Sequence, residues 1–123
     1  MFGLTLSVLL LLLAGCGAST ALTNSDNGKT IQAHVGDEIA IALDANPTTG
    51  YGWSVEKIDG TLLTLKQSQF SAASSAIGSG GTQTLTFVAK SVGTATLQLK
   101  YWRSFVGEKS ITQRFTITIQ IQA

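Results

Sequence analysis

Phe115-Thr116-Ile117-Thr118-Ile119-Gln120-Ile121 decides the fold class. Large apolar residues occupy every second position, with Thr and Gln between them. A period of two places Phe115, Ile117, Ile119 and Ile121 on one face of an extended strand, whereas a helix would scatter them around its axis. The β-branched isoleucines also suit a pleated, half-buried surface. One face of this strand belongs in a core and the other can stay wet.

The same period recurs upstream. Ala95, Leu97, Leu99 and Tyr101 alternate with Thr96, Gln98 and Lys100, and Leu85, Phe87 and Ala89 alternate with Thr84, Thr86 and Val88. Ile39, Ile41 and Leu43 form another such row. Shorter ones are Ile31, Ala33 and Val35, then Trp53 and Val55, then Leu63 and Leu65. Gly36-Asp37, Asp59-Gly60 and Val92-Gly93 carry turn chemistry between them. No stretch keeps the three-and-four spacing of a helix for long. About seven short strands, each with one apolar face, predict an all-β antiparallel sandwich. Ser68 to Gly81 is rich in Ser, Ala and Gly and reads as a long exposed loop, with Phe70 and Ile77 its only apolar anchors.

The amino-terminal region has a different character. Leu4 to Ala14 is apolar and includes Leu9-Leu10-Leu11-Leu12-Leu13, too short to span a bilayer comfortably. It runs into Leu13-Ala14-Gly15-Cys16, which resembles the lipobox of bacterial lipoproteins. That resemblance implies a signal peptide over residues 1–15, cleavage before Cys16 and lipid on the new terminus. An ordinary secretory signal is the other reading, and Met1 to Ser7 carries no Lys or Arg, unlike most export signals. Residues 16–28 are small and polar and read as a flexible tether, with the folded domain over 29–123. Gly17 is not the aspartate typical of inner-membrane retention, so an outer-membrane lipoprotein facing the periplasm or cell surface is the default.

Cys16 is the single cysteine, so an intramolecular disulfide is impossible and the domain must fold on its core. Eight basic and seven acidic residues leave the chain near neutral, which argues against nucleic acid as a partner. The sole histidine, His34, sits on the polar side of its strand. With no second His or Cys, a metal centre lacks ligands, and a Ser–His–Asp site would depend on His34 alone. Asp37 and Glu38 are adjacent at the start of a strand and point apart, so they are poorly placed as a general acid and base. Gly78-Ser79-Gly80-Gly81 lacks the Lys-Ser/Thr ending of a phosphate loop. The residues describe a chain that binds without catalysing and needs no cofactor.

Three segments stand out as binding loops. In Asn46-Pro47-Thr48-Thr49-Gly50-Tyr51, Pro47 and Gly50 stiffen a turn that holds two threonines at its tip. Gly78, Gly80 and Gly81 leave backbone open to close approach. Trp102, Arg103 and Phe105 gather aromatic and guanidinium groups typical of interface hot spots, with Trp102 pointing outward by parity with Tyr101. Alternate turns of a sandwich lie at the same end. These three loops therefore share one end and the compact turns share the other, a division typical of binding loops on a rigid scaffold.

Together, these residues resemble the chagasin family of cysteine peptidase inhibitors. Asn46-Pro47-Thr48-Thr49-Gly50-Tyr51 with Trp53 is similar to that family's first signature, Ile77-Gly78-Ser79-Gly80-Gly81 to its second, and Leu99, Tyr101 and Arg103 to the start of its third. The resemblance implies an immunoglobulin-like β-sandwich that reversibly inhibits papain-like cysteine peptidases as a monomer. Thr48 and Thr49 would enter the cleft, Gly80 and Gly81 would lie along it through their backbone, and Arg103 with its aromatic neighbours would grip the far side. Ser104 and Phe105 stand where the family usually has Pro and Trp, which removes proline's stiffening and an indole N–H. The alternative is a non-catalytic envelope lipoprotein, structural or binding carbohydrate or protein, with Trp102 and Phe105 as stacking platforms.

Overall fold

The computed structural model describes residues 18–123, so the signal-peptide and Cys16 readings lie outside the described residues. Eight strands form two four-stranded sheets. They are β1 (Ser19–Thr23), β2 (Thr30–His34), β3 (Glu38–Ala45), β4 (Gly52–Lys57), β5 (Leu63–Ala72), β6 (Gly81–Ala89), β7 (Gly93–Trp102) and β8 (Gln113–Gln122). One sheet has the order β1-β3-β6-β5 and the other β2-β8-β7-β4.

The alternation read from the sequence builds the core. Ile39, Ile41 and Leu43 of β3 and Leu85, Phe87 and Ala89 of β6 face Ala95, Leu97 and Leu99 of β7 and Phe115, Ile117, Ile119 and Ile121 of β8, all buried. Burying each large apolar side chain contributes about 1.5–3 kcal/mol relative to exposure. The strand that decides the fold is central, flanked by β2 and β7.

Three sequence expectations change. First, residues 16–28 are not a tether throughout. Ser19–Thr23 pairs in parallel with β3, and Leu22 is buried in the core. Its neighbours are small and polar, so one buried side chain left no alternation to read. After a short 3-10 turn over Asn24–Asp26, β2 pairs in parallel with β8. The chain thus crosses from one sheet to the other, and the sheets are mixed instead of wholly antiparallel. Asn27 seals the crossing, its Oδ1 accepting from Thr116 N at 2.8 Å.

Second, the long loop is shorter. β5 continues to Ala72 along β6, leaving residues 73–80 as the connection. Beyond Leu63 this edge strand is exposed on both faces, so ladder hydrogen bonds hold it and no apolar period marks it. Leu65 is exposed although it pairs in register with buried Phe87, and the register shifts just after it, between Leu65 and Gln67. Third, Phe70 and Ile77 do not anchor the loop to the core, because both are exposed.

The register fixes which loops meet. Ala45 at the end of β3 and Ala72 at the end of β5 both pair with Gly81 at the start of β6. In the other sheet, Trp102 at the end of β7 pairs with Gly52 at the start of β4. The 46–51, 73–80 and 103–112 connections therefore emerge at one end.

Candidate functional site

The first loop is stiff because its own side chains close it. Pro47–Thr49 forms a 3-10 turn with Pro at its start and Gly50 after it at φ 85°, a conformation that suits glycine. Thr49 N donates to Asn46 O at 3.1 Å and Gly50 N to Pro47 O at 3.0 Å. Asn46 Oδ1 accepts from Thr48 N at 3.2 Å and from Thr48 Oγ1 at 2.5 Å. Thr49 Oγ1 donates to Asn46 O at 2.6 Å. Both threonine hydroxyls donate into the loop, and Thr49 Oγ1 also accepts from Tyr51 N at 3.4 Å, leaving the methyl groups and the remaining lone pairs for a partner.

A column of rings supports this turn from below. Tyr101 on β7 lies 5.0 Å from Trp53 and 5.3 Å from Tyr51, centroid to centroid, within the range of favourable aromatic pairs. Its hydroxyl accepts from Asn46 N at 2.9 Å. Trp53 Nε1 donates to Asp44 O at 3.0 Å, so the polar tips of Tyr101 and Trp53 are both satisfied. Gln83 joins the sheets, its Oε1 accepting from Trp53 N and its Nε2 donating to Trp53 O, each at 2.9 Å.

The second loop touches the first through Asn46 Nδ2, which donates to Gly78 O at 3.2 Å. Ile77 at its tip is fully exposed, at 105%. Gly81 is required to be glycine by the chain's own packing. A Cβ there would lie 2.1 Å from Ser71 O, so the close approach is to the chain itself. Gly80 is less confined, with Ala45 O at 3.4 Å from a built Cβ.

The third loop braces the first. Arg103 Nε donates to Thr49 O at 3.0 Å, and its guanidinium lies over the Tyr51 ring at 4.5 Å. The Phe105 ring covers Gly50, where a Cβ would sit 3.1 Å from Phe105 Cζ, yet Phe105 remains 77% exposed. Trp102 does face outward from its sheet. Its Nε1 donates to Ser54 Oγ at 3.1 Å and Lys100 Nζ sits 3.5 Å from the ring centroid. Lys100 in turn reaches Glu108 Oε1 at 2.8 Å.

Sequence reading missed Ser110. It is buried, accepts from Arg103 N at 2.9 Å and lies 2.6 Å from Gly107 O and 3.0 Å from Arg103 O, where its hydroxyl donates. This staple supplies stiffness that Ser104 does not. Nothing distinguishes it in the sequence from the many other serines. Ile77 did carry a signal, a large apolar residue beside Gly78.

The charged groups serve the framework. Asp37 is buried and accepts from Ala18 N and His34 N, each at 2.8 Å, at the end away from the loops. His34 is exposed, with Nδ1 3.9 Å from Asp37 Oδ2. Among the described residues no three His, Cys, Asp or Glu side chains converge on a metal-sized site. Asn46, Gly80, Gly81 and Tyr101 line a shallow depression between the first and second loops.

A rigid β-sandwich that joins three loops at one end defines a protein-binding scaffold. Its residues 32–119 match the family model described as chagasin family peptidase inhibitor I42, and the chain belongs to that family. Chagasin of Trypanosoma cruzi is 31% identical over 107 residues, covering 83% of this chain and 97% of chagasin. The crystal structure of a cysteine protease inhibitor from Entamoeba histolytica superposes with a TM-score of 0.76 at 27% identity, covering 85% of this chain and 96% of the other. The solution structure of amebosin gives 0.73 at 29% identity, covering 86% of this chain and all (100%) of that one.

Proposed function

We propose that this protein is a reversible inhibitor of papain-like cysteine peptidases that fills the active-site cleft with its three adjoining loops. The observation that carries this reading is the welding of the loops into one surface. Asn46 ties the first loop to Gly78 of the second, and Arg103 of the third ties to Thr49 of the first. A wedge already held in shape loses little conformational entropy on docking.

In this reading Thr48, Thr49 and Gly50 enter the cleft between its walls, and Asn46, Pro47 and Tyr51 hold them there. Gly78, Gly80 and Gly81 run along one wall. Phe105 meets the other wall, with Arg103 and Trp102 at the rim. No residue of the inhibitor has to be activated, because exclusion of substrate suffices.

Lipid attachment at Cys16, after removal of residues 1–15, belongs to the same proposal and rests on Leu13-Ala14-Gly15-Cys16. It would hold the inhibitor at a bacterial outer membrane, facing the periplasm or cell surface. Mass spectrometry of the mature amino terminus tests it. A diacylglyceryl-modified Cys16 is expected, and an unmodified residue there would refute the anchor.

The inhibitory reading is tested by adding the protein to papain and then diluting the mixture. Inhibition that is strong when concentrated and relieved on dilution is expected. Full papain activity at every concentration would favour the envelope-module reading instead.

A further inference from the structure

We propose that Arg103 is a positioning residue that keeps the first loop from being cut by the peptidase it blocks, an inference that rests on the inhibitor reading above. A loop placed beside a catalytic thiolate must resist becoming a substrate. Cleavage requires a carbonyl carbon presented to the nucleophile, with its oxygen free to turn toward oxyanion-stabilising donors.

The loop restrains each of the four bonds from Asn46 to Gly50. At Asn46–Pro47, the Asn46 oxygen accepts from both the N–H and the hydroxyl of Thr49. At Pro47–Thr48, the Pro47 oxygen accepts from Gly50 N. At Thr48–Thr49 the restraint is on the other side of the bond, where the Thr49 N–H donates to Asn46 O and fixes the peptide plane without engaging the Thr48 oxygen. Each of these locks is made inside the loop. Thr49–Gly50 differs, because the Thr49 oxygen is held by Arg103 Nε, a group from another loop.

Arg103 is well placed for this duty. Its backbone N–H is stapled by Ser110 Oγ, and its guanidinium rests on Tyr51. Phe105 covers Gly50, on the leaving-amine side of the same bond. Without Arg103, a thiolate could add to the Thr49 carbonyl carbon and expel the Gly50 amine. One water would then release Thr49 as a free carboxylate and restore the thiol.

The test incubates wild-type protein, Arg103→Ala and Arg103→Lys with sub-stoichiometric papain and follows intact mass. Arg103→Ala is expected to be cut at Thr49–Gly50 at least about tenfold faster than wild type, as expected for loss of a charge-assisted hydrogen bond. Arg103→Lys, which keeps a donor and a cation over Tyr51, is expected to stay near wild type. An intact Ala variant overturns the role. So does cutting that begins elsewhere, as in residues 73–80, or a Lys variant cut as fast as Ala. Papain left fully active by wild type would instead bring down the inhibitor reading itself, an outcome separable from an Ala variant that inhibits and survives.

Discussion

At the scale of single residues, the loop cluster depends on residues that serve the fold before they serve a partner. Gly81 is the clearest case. The position pairs with Ala45 on one side and Ala72 on the other, and a methyl group would collide with Ser71 O. Gly81→Ala is expected to destabilise the protein by about 1–3 kcal/mol, as backbone must shift to admit it. A urea titration checks this, and an unchanged midpoint would contradict it. The sequence displayed Gly81 as a candidate contact, yet nothing in it revealed the opposing carbonyl. That carbonyl belongs to a strand that carries no apolar period. Thr48 and Thr49 were legible as the loop tip because Pro47 and Gly50 impose their geometry locally. Ser110 was not, since its partners are backbone groups brought near only by the loop's path.

At the scale of elements, alternation revealed what was buried on one face and concealed what was not. β3, β6, β7 and β8 each insert an unbroken apolar row, so their faces were readable residue by residue. β1 offers only Leu22, and β5 only Leu63, so hydrogen bonding to a neighbour decides their existence. Leu22→Ala should test whether β1 is integral to the domain. At 4% exposure its truncation is expected to cost about 2–3 kcal/mol, read by urea unfolding. A negligible change would return this segment to the status of a tether.

The solvent face of the β4, β7 and β8 sheet carries its own links. Glu56 on β4 receives Arg114 Nε from β8 at 2.9 Å and a hydrogen bond from Gln98 on β7. Hydrogen bonding from Arg114 chiefly, with the nearby positive charges, holds the Glu56 carboxyl below its ordinary range. Its pKa is depressed on folding, so its stabilising effect is complete above the unfolded value. That effect is lost as pH falls below the ordinary glutamate value of 4.5 and through the lower folded value. Asp59 follows the same direction through the Thr61 hydroxyl and N–H, and Asp26 through Thr23 N–H and Lys29. Stability is expected to decline in acid, and Glu56→Gln to decline less steeply, as read by thermal melts across that range. Parallel profiles for both proteins would contradict this.

At the scale of the whole molecule, the site follows from topology. Counting strands from the sequence placed the three unusual loops at one end, although β1 had gone unread. The count survives because β1 adds a strand before the first of these loops and changes none of the later alternations. What topology could not tell is how the loops lean on one another. The Asn46–Gly78 and Arg103–Thr49 hydrogen bonds and the Phe105–Gly50 contact make one surface from three connections. Ile77 and Phe105, exposed on the loops either side of the threonines, give that surface apolar shoulders.

The central claim is that this surface enters the peptidase cleft with Thr49 at its centre. The most direct measurement is the inhibition constant against papain for the domain beginning at Ala18, compared with its Thr49→Arg variant. Wild type is expected to inhibit, and the bulkier, charged tip to weaken inhibition at least about a hundredfold while the thermal midpoint stays close to wild type. Equal inhibition by the two proteins would contradict the claim, since a cleft already filled by the first loop has no room for the larger side chain.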